Sequence, residues 1–414
     1  MNAAGAAYRA IGWLLRPGLE GWGRLAGPER AARAGLAAPE PRGALWAHAA
    51  SVGELGGVEV FLGALHSRAP GLPARITCHT RTGLARARAG GRVAEPAPLD
   101  AAFAVGRRLA RTRPAALAVF ETELWPALLG ECAVRVPVSW VNGRISERAF
   151  PRHRALRSLL APSLARVRAF AVQGPADAER FVALGAPAER VRVTGNLKHD
   201  RPPPPRISGA DLGLAGDGPV VVFGSLRDGE EAAVLDALAV ARRAEPALAA
   251  VLAPRHPRVA ERLAGLLRER GVDFGRRSAG ASGVRTLLLD TLGELAGAYT
   301  AGQVAFVGGS LVPLGGHDVM EPARAGVPVL FGPHTGHCDV ECRALLDSGG
   351  ALRVPDGAAL GRAMAELLAA PAERARMAAA AAAAAAAERG SAARALDWLL
   401  RNGALPAGPA PEAA

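Results

Sequence analysis

The stretch ALWAHAASVGELGGVEVFLGAL, residues 44–65, decides the fold class. Its first four residues form an apolar run of the length of a short buried strand, and from Leu55 onward the residues follow a helical pattern. Between the two, Ser51 and Glu54 have the S-x-x-E spacing of a capping box, which marks a helix start. A buried strand that leads at once into a helix is the repeating unit of parallel α/β sheets.

The same unit recurs along the whole chain. The first half offers six candidate strands, at residues 44–49, 74–80, 115–121, 136–142, 169–174 and 191–196. The second half offers five, at residues 219–225, 248–254, 285–290, 304–310 and 327–332. Between the halves, residues 199–218 (HDRPPPPRISGADLGLAGDG) combine a proline run with glycine-rich turns, which is typical of a linker.

The pattern therefore predicts two doubly wound, Rossmann-like domains. We expect an N-terminal segment at 1–30, one domain at 31–203, a second at 204–402 and a disordered tail at 403–414. Domains of this kind place their functional loops at the carboxyl ends of the strands, and two of them are expected to face each other across a cleft.

Composition points to a folded protein with an anionic partner. The 414 residues carry a formal net charge of +12, which favours a phosphorylated substrate, a membrane surface or a nucleic acid. Lys198 is the only lysine among 50 basic residues, so either this position requires a compact ammonium group or a lysine survived there by chance. Four scattered cysteines and no cleavable signal peptide favour a reducing, cytoplasmic location.

The N-terminal segment is apolar but too short to cross a bilayer, since a spanning helix needs about 20 apolar residues. Aromatic and aliphatic residues such as Trp13 and Trp22 alternate there with arginines. Two interpretations stay open: a helix that lies in the membrane interface, or one that docks on the protein itself.

Polar residues follow the strands of the first half. Glu54 is either a helix cap or a catalytic base. Glu121 and Glu123 lie on one side of an extended stretch and are either site residues or a solvated loop edge. Lys198 lies beside the linker, where its ammonium group can meet an anionic leaving group.

The second half contains candidate phosphate loops. Small residues precede helices after two strands, where free backbone N–H groups can bind a phosphate; these are Gly224, Ser225, Gly308, Gly309 and Ser310. Capping-box spacing recurs at Thr291 with Glu294 and at Asp318 with Glu321, and Glu321 is a candidate acceptor for ribose hydroxyls. Arg255 suits a bidentate phosphate contact, although a surface arginine is the common alternative.

We expect no metal site. Residues 334–342 (HTGHCDVEC) bring His334, His337, Cys338 and Cys342 close in sequence, but they lack the separated ligand pairs of a structural zinc site.

Taken together, these segments resemble the 3-deoxy-D-manno-octulosonic acid (Kdo) transferases of lipopolysaccharide core synthesis. The resemblance rests on HAASVGE, ETELWP, NGRISERAF, TGNLKHD, GSLRDGEE, PRHPRV, DTLGEL, FVGGSLVPLGGHDVMEPA and FGPHT, which occur in the family's order. It implies a GT-B glycosyltransferase fold, CMP-Kdo as donor and a lipid A precursor (lipid IVA) as acceptor. It further implies inverting transfer without an essential metal or cofactor, by a peripheral or monotopic enzyme at the anionic cytoplasmic face of the inner membrane.

The resemblance also implies roles for individual residues. Glu54 matches the general base, and Glu121, Glu123 and Lys198 match residues that support the transition state. The segments that hold CMP match Pro254, Arg255, Leu292, Gly293, Glu294, Asp318, Val319, Met320 and Glu321.

This chain departs from the family at three places. Its apolar N-terminus is shorter, Asp318 replaces an asparagine, and Leu226 and Arg227 replace a threonine and a histidine. The alternative function is a GT-B transferase or epimerase with a UDP-sugar donor. Nucleic-acid binding is disfavoured, because no RNA- or DNA-binding module occurs and acidic residues cluster at strand ends.

Overall fold

The structure is a computed structural model that describes residues 3–25, 27–36 and 42–406. The chain divides into two compact units. Unit 1 contains the residues up to Arg201 and those from Glu388 onward, and unit 2 spans Pro202–Ala387. Each unit is built around one parallel sheet of seven strands, which confirms the predicted α/β class.

The sheet of unit 1 has the order β3-β2-β1-β4-β5-β6-β7. Its strands are β1 (Leu45–His48), β2 (Ala74–Cys78), β3 (Ala94–Pro96), β4 (Ala116–Phe120), β5 (Val138–Gly143), β6 (Ala169–Val172) and β7 (Val191–Val193). Every pair is parallel, and the first six strands follow the order of a dinucleotide-binding fold.

Helices cover both faces of this sheet. They are α1 (Ala3–Leu14), α2 (Arg16–Leu25), α3 (Pro28–Arg33), α4 (Val52–Arg68), α5 (Arg81–Ala89), α6 (Ala102–Thr112), α7 (Pro126–Cys132), α8 (Phe150–Ala155), α9 (Arg157–Leu164) and α10 (Pro175–Leu184). Short 3-10 helices occur at Ala188–Arg190 and Leu197–Asp200. Strands β1 and β4 are buried along their whole length, which explains why they read as continuous apolar runs.

The sheet of unit 2 has the order β10-β11-β9-β8-β12-β13-β14 and is also entirely parallel. Its strands are β8 (Val220–Leu226), β9 (Ala249–Pro254), β10 (Gly275–Arg276), β11 (Thr286–Leu288), β12 (Val304–Val307), β13 (Val329–Phe331) and β14 (Ala351–Arg353). Its helices are α11 (Glu231–Ala244), α12 (Pro257–Glu269), a 3-10 turn (Arg277–Ala279), α13 (Leu295–Ala301), α14 (Met320–Arg324), α15 (Asp339–Asp347), α16 (Gly357–Ala369) and α17 (Pro371–Ala387).

The C-terminal helix α18 (Ser391–Arg401) belongs to unit 1, which corrects the predicted boundary at residue 402. Ala395, Leu396 and Leu399 are buried in the same core cluster as strands β1 and β4. Ala404 and Leu405 belong to the same cluster, so the start of the predicted tail packs on unit 1. Residues 407–414 of that tail lie outside the described part.

The predicted linker is also shorter than expected. Leu212 and Leu214, in its second half, are buried in the core of unit 2, and Leu214 forms a parallel bridge with Val284. Two leucines among glycines are too few to form a periodic pattern, so this packed segment resembled a linker in the sequence.

The N-terminal helices α1 to α3 contact unit 1. The hydroxyl of Tyr8 donates to a carboxylate oxygen of Asp100 at 2.7 Å, and Arg9 pairs with Glu131 at 2.9 Å. Ile11, Leu14 and Leu15 remain exposed. Within the described residues, no helix is both long and apolar enough to cross a membrane.

Candidate functional site

The carboxyl ends of three neighbouring strands bring the predicted residues of unit 1 together. Strands β2, β1 and β4 lie side by side, and His79, His48 and Glu123 are at or just after their ends. Glu54 lies in the first turn of α4, which follows β1. Parallel neighbours end at the same edge of a sheet, so these side chains share one surface.

Glu54 makes one of the two hydrogen bonds of a capping box, and its pKa is far above that of an ordinary glutamate. Its carboxylate accepts a hydrogen bond from the backbone N–H of Ala50, whereas the hydroxyl of Ser51 makes no capping bond. Burial and then repulsion from Glu123 raise the pKa of Glu54 to about 8, against the lowering effect of the Ala50 bond. A carboxylate with such a pKa suits general-base catalysis near neutral pH.

Glu121 and Lys198 meet in the structure. The ammonium nitrogen of Lys198 lies 3.2 Å from Oε1 of Glu121, and the short helix that carries Lys198 is capped by Asn196. Glu121 has a φ of 52°, a left-handed conformation that is costly for a residue with a side chain and that often marks a functional site.

Asn142, at the end of β5, supports this pair and was missed in the sequence. Its side-chain oxygen accepts from the backbone N–H of Leu197 at 3.0 Å, and its amide nitrogen lies 3.5 Å from Glu121. Asn142 thereby ties β5 to the turn that presents Lys198. The asparagine-glycine pair after a predicted strand was the available signal.

Glu123 is buried and faces two aromatic partners. The indole of Trp125 donates to its carboxylate, and Nε2 of His48 lies 3.7 Å away. Burial raises the pKa of Glu123, but the nearby imidazole of His48 and then the bond from Trp125 outweigh it and leave this pKa below its usual value. Glu54 and Glu123 therefore have pKa values shifted in opposite directions, a pattern that separates acid and base roles.

The carboxyl ends of the strands in unit 2 collect the predicted donor segments. Pro254 and Arg255 end strand β9, and Leu292, Gly293 and Glu294 lie after β11, its neighbour. Asp318 and Glu321 flank the start of α14, which follows β12. Arg255 is exposed, and no carboxylate among the described residues forms an ion pair with it.

The two predicted capping boxes in unit 2 take other forms. Glu294 precedes α13 as its N-cap and accepts from the hydroxyl of Thr291 and the guanidinium of Arg277, and both contacts lower its pKa. Asp318 accepts from the backbone N–H of Met320 at 2.9 Å and pairs with Arg324 at 3.0 Å.

Val319 and Met320 differ from the prediction in one respect. Both residues are 1% exposed and pack in the core, so their side chains are not available to a ligand.

The predicted phosphate loop at Gly308, Gly309 and Ser310 is already occupied. The carboxylate of Glu230, fully buried, accepts from the backbone N–H groups of Gly309 (2.7 Å), Ser310 (3.0 Å) and Leu311 (3.0 Å). A Cβ on Gly308 would lie 2.8 Å from Glu230, so the glycine allows this approach. The prediction was wrong because an internal anion uses the donors that a phosphate would need.

Gly224 and Ser225 belong to strand β8 rather than to a loop after it, which corrects the second candidate. A Cβ on Gly224 would lie 1.8 Å from the hydroxyl oxygen of Tyr299, so this glycine makes room for a buried aromatic side chain. Ser225 has a φ of 56° at an irregularity in the β8–β9 register.

A cluster of basic side chains lies at the same edge and was not predicted as a unit. Arg227 approaches His317 at 3.5 Å, and its buried Nε has no hydrogen-bond partner among the described residues. Burial, followed by the charges of Arg227 and Arg255, lowers the pKa of His317 to about 4. His337 and His256 contribute to the same shift, and the guanidinium groups of Arg227 and Arg255 supply the charge that would stabilise an anion near His317.

Potential metal ligands converge in unit 1 rather than at residues 334–342, where the sequence places histidines and cysteines close together. In the described part of the chain, a group of three His, Cys, Asp or Glu ligands occurs at His48, His79 and Glu123. Cys338 and Cys342 are buried free thiols with their sulfur atoms 3.6 Å apart.

Comparisons with known proteins agree with this architecture. The family described as 3-deoxy-D-manno-octulosonic-acid transferase (kdotransferase) matches residues 27–201. The 3-deoxy-D-manno-octulosonic acid transferase of Bordetella pertussis is 36% identical, with 94% of each chain covered. The enzyme of the same name from Haemophilus influenzae is 32% identical, with 87% of each chain covered.

Solved structures show the fold. The UDP-GlcNAc 2-epimerase of Neisseria meningitidis has a TM-score of 0.61 at 12% identity and covers 86% of this chain and 99% of its own. A glycosyltransferase from Rickettsia africae has a TM-score of 0.59 at 9% identity, with 88% and 98% covered. These likenesses and the two parallel seven-stranded sheets confirm the GT-B fold. The chain belongs to the 3-deoxy-D-manno-octulosonic acid (Kdo) transferase family and is a glycosyltransferase.

Proposed function

We propose that the protein transfers Kdo from CMP-Kdo to a lipid A precursor, lipid IVA, with inversion at the anomeric carbon. The observation that carries the proposal is Glu54, a carboxylate with a pKa of about 8 at the edge where a reacting hydroxyl would be activated. Membership of the family indicates that the transferred sugar is Kdo. The roles of individual residues are inferred from the chemistry of the sites in the two units.

Glu54 acts as the general base. It takes the proton from a sugar hydroxyl of the acceptor as that oxygen attacks the anomeric carbon of Kdo. The bond from this carbon to the phosphate oxygen breaks, and CMP leaves with its electron pair. Attack from the face opposite the leaving group inverts the configuration.

Lys198 and the glutamates beside it support the charges that develop. The ion pair of Lys198 with Glu121 holds a compact ammonium group in place, as contact with an anionic leaving group requires. Glu123, buried beside His48, contributes a fixed negative charge, which favours positive charge at a sugar carbon in the transition state.

Unit 2 holds the donor. CMP-Kdo carries a phosphate and a carboxylate, and the guanidinium groups of Arg227 and Arg255 near His317 have the charge to bind both. The loops at Leu292 and Asp318 take the nucleoside, and Glu321 takes the ribose hydroxyls. Arginine and lysine side chains compensate the anionic charge, so the transfer requires neither a metal ion nor a cofactor.

The N-terminal helices place the enzyme at its lipid substrate. Trp13, Leu14 and Leu15 are 48%, 79% and 57% exposed, next to Arg16, whose guanidinium stacks over Trp13 at 4.9 Å. Such a surface suits the interface of an anionic membrane, and we propose the cytoplasmic face of the inner membrane as the location.

The transfer is tested with Glu54→Gln. Loss of a general base lowers turnover about 10²-fold to 10⁴-fold and leaves donor binding intact. Turnover is measured by mass spectrometry of the product from CMP-Kdo and a tetraacylated lipid A precursor, and Glu59→Gln on the same helix is the control. Near-normal turnover with only lower thermal stability would assign Glu54 to capping alone.

Calorimetry with CMP and with UDP tests the donor. Binding of CMP that weakens in Arg255→Gln supports the proposal. Preference for UDP would favour a transferase or epimerase that uses a UDP-sugar.

Membrane attachment is tested by co-sedimentation with anionic vesicles. Replacement of Trp13, Leu14 and Leu15 by serine removes exposed apolar area and leaves the Tyr8–Asp100 bond in place, so partition should fall about tenfold or more. Val340→Ser, another exposed apolar position, is the control. Unchanged partition of the triple variant would contradict this role.

A further inference from the structure

Two imidazoles and one carboxylate converge at the carboxyl edge of the sheet of unit 1. His48 ends β1, His79 follows β2, and Glu123 follows β4, and these strands are direct neighbours in the order β2-β1-β4. Their nearest ligand atoms all lie within 4.8 Å of one another. The topology of the sheet, rather than a local sequence motif, brings the three side chains together.

His48 is oriented as a ligand. It is 1% exposed, and its Nδ1 lies 2.9 Å from the hydroxyl of Thr77, which also accepts from the indole of Trp46. Its other nitrogen, Nε2, is buried and has no hydrogen-bond partner in the described residues. A histidine held through one nitrogen by an oxygen, with the other left open, is the usual arrangement beside a bound metal ion.

Glu123 and His79 complete the set. One carboxylate oxygen of Glu123 lies 3.7 Å from Nε2 of His48, near the separation of about 3.3 Å between two ligands of a tetrahedral ion. Trp125 fixes both partners, since its indole donates to Glu123 and its ring stacks on His79 at 4.5 Å. His79 is partly exposed, which leaves a path for an ion and a fourth position for water.

We propose that His48, His79 and Glu123 form a binding site for a divalent transition-metal ion, with Zn²⁺ as the ligand tested first. Imidazole nitrogens favour zinc, cobalt, nickel or iron over magnesium or calcium, which prefer sets of oxygen ligands.

The proposed transfer needs no metal, but the two sites share Glu123. An ion held there would occupy the carboxylate of Glu123, so the site would bind metal as an inhibitor or a structural ligand. Metal binding is measured without substrate, so its outcome and that of the Kdo transfer assay are read separately.

The test uses the full-length protein after removal of metals with a chelator. Isothermal titration with Zn²⁺, together with the visible absorption spectrum of bound Co²⁺, reports stoichiometry and ligand geometry. We expect one equivalent of metal per chain and a Co²⁺ spectrum typical of four-coordinate nitrogen and oxygen ligands. His79→Gln should weaken binding at least tenfold, and Thr77→Val, which removes the partner of His48, by about 10-fold to 100-fold.

The control is His66→Gln, an exposed histidine at the end of α4, which should bind Zn²⁺ as the wild type does. Thermal unfolding shows whether each variant is folded. If His79→Gln is not folded, the Zn²⁺ affinity of Glu123→Gln is measured in its place. Absence of saturable binding, or equal affinity in the wild type and the folded ligand variants, would overturn the proposal. The second result would point to the cysteines and histidines of residues 334–342 instead.

Discussion

Glu54 lies in the first turn of α4, where a carboxylate normally stabilises the helix in its charged form. Its surroundings oppose that charge, because the side chain is largely buried and Glu123 repels it. Glu54 therefore stabilises α4 less than a charged glutamate on the surface would. The same surroundings raise its pKa toward the pH at which a general base acts.

The pH dependence of turnover follows from this pKa. Only the deprotonated form accepts a proton, so kcat/KM should rise about tenfold per pH unit below about 8 and level off above it. Rates measured from pH 6 to 9 check this expectation, and a profile that is flat below pH 8 would contradict it.

The same shift predicts how stability changes with pH. The folded-state pKa is raised from 4.5 to about 8, so the stabilising contribution of Glu54 is complete below about pH 4.5 and is lost as the pH rises through 8. Glu54→Gln should therefore be more stable than the wild type at pH 9 and not at pH 5, as measured by urea unfolding.

The substitution Lys198→Arg tests whether transfer requires the compact ammonium group of a lysine. Lys198→Arg keeps the charge but replaces a point donor with a planar fork, and the 3.2 Å contact with Glu121 cannot be kept in the same geometry. We expect kcat to fall about tenfold, the equivalent of one charge-assisted hydrogen bond. Arg92→Lys, at an exposed position, controls for the exchange itself, and wild-type kcat in Lys198→Arg would mean that the lone lysine is incidental.

At the scale of elements, Glu230 joins the start of α11 to the turn after β12. Its carboxylate accepts from the backbone N–H of Arg227 at 2.9 Å as well as from the three N–H groups of the turn. The turn that the sequence suggested for a phosphate is therefore a structural joint, and the carboxylate that holds it also fixes the backbone of Arg227.

Glu230→Gln should weaken this connection and lower the free energy of unfolding. The amide replaces one acceptor oxygen with a donor that faces backbone N–H groups, which costs about 2 kcal/mol in the free energy of unfolding. The shift is read from the urea midpoint of the full chain. Glu261→Gln, a surface residue paired with Arg276, should give no measurable change, and equal midpoints for the two variants would refute the structural role.

At the scale of the whole molecule, the chain returns to unit 1 after completing unit 2. Helix α18 packs against α4, β5 and β6, and Leu399 is fully buried there. Leu399→Ala removes a buried side chain and should cost about 2–5 kcal/mol.

Hydrogen exchange locates that loss. Amides of α4, β5 and β6 should exchange faster in Leu399→Ala, while those of β8 and β9 in unit 2 keep their wild-type rates. Ala393→Ser, at an exposed position of the same helix, is the control substitution. Acceleration confined to unit 2 would contradict the assignment of α18.

The local sequence was sufficient for the fold class and for placing many candidate residues at the carboxyl edges of the sheets. Continuous apolar runs such as residues 116–120 occur because both faces of a parallel sheet are covered, and the residues after each run lie at the carboxyl edge by construction. For this reason the location of Glu54, Glu121, Glu123 and Arg255 at the carboxyl edges could be predicted without coordinates, and their roles stay predictions.

Only the tertiary structure decided which of these groups meet and what they already bind. The pairing of Lys198 with Glu121, the convergence of His48, His79 and Glu123, and the filling of the Gly309 turn by Glu230 each join residues that are distant in sequence. Periodicity reports the face on which a residue lies, because it reflects burial along one element. It carries no information about the order of strands in a sheet, and that order determines which charged groups share an edge and how their pKa values shift.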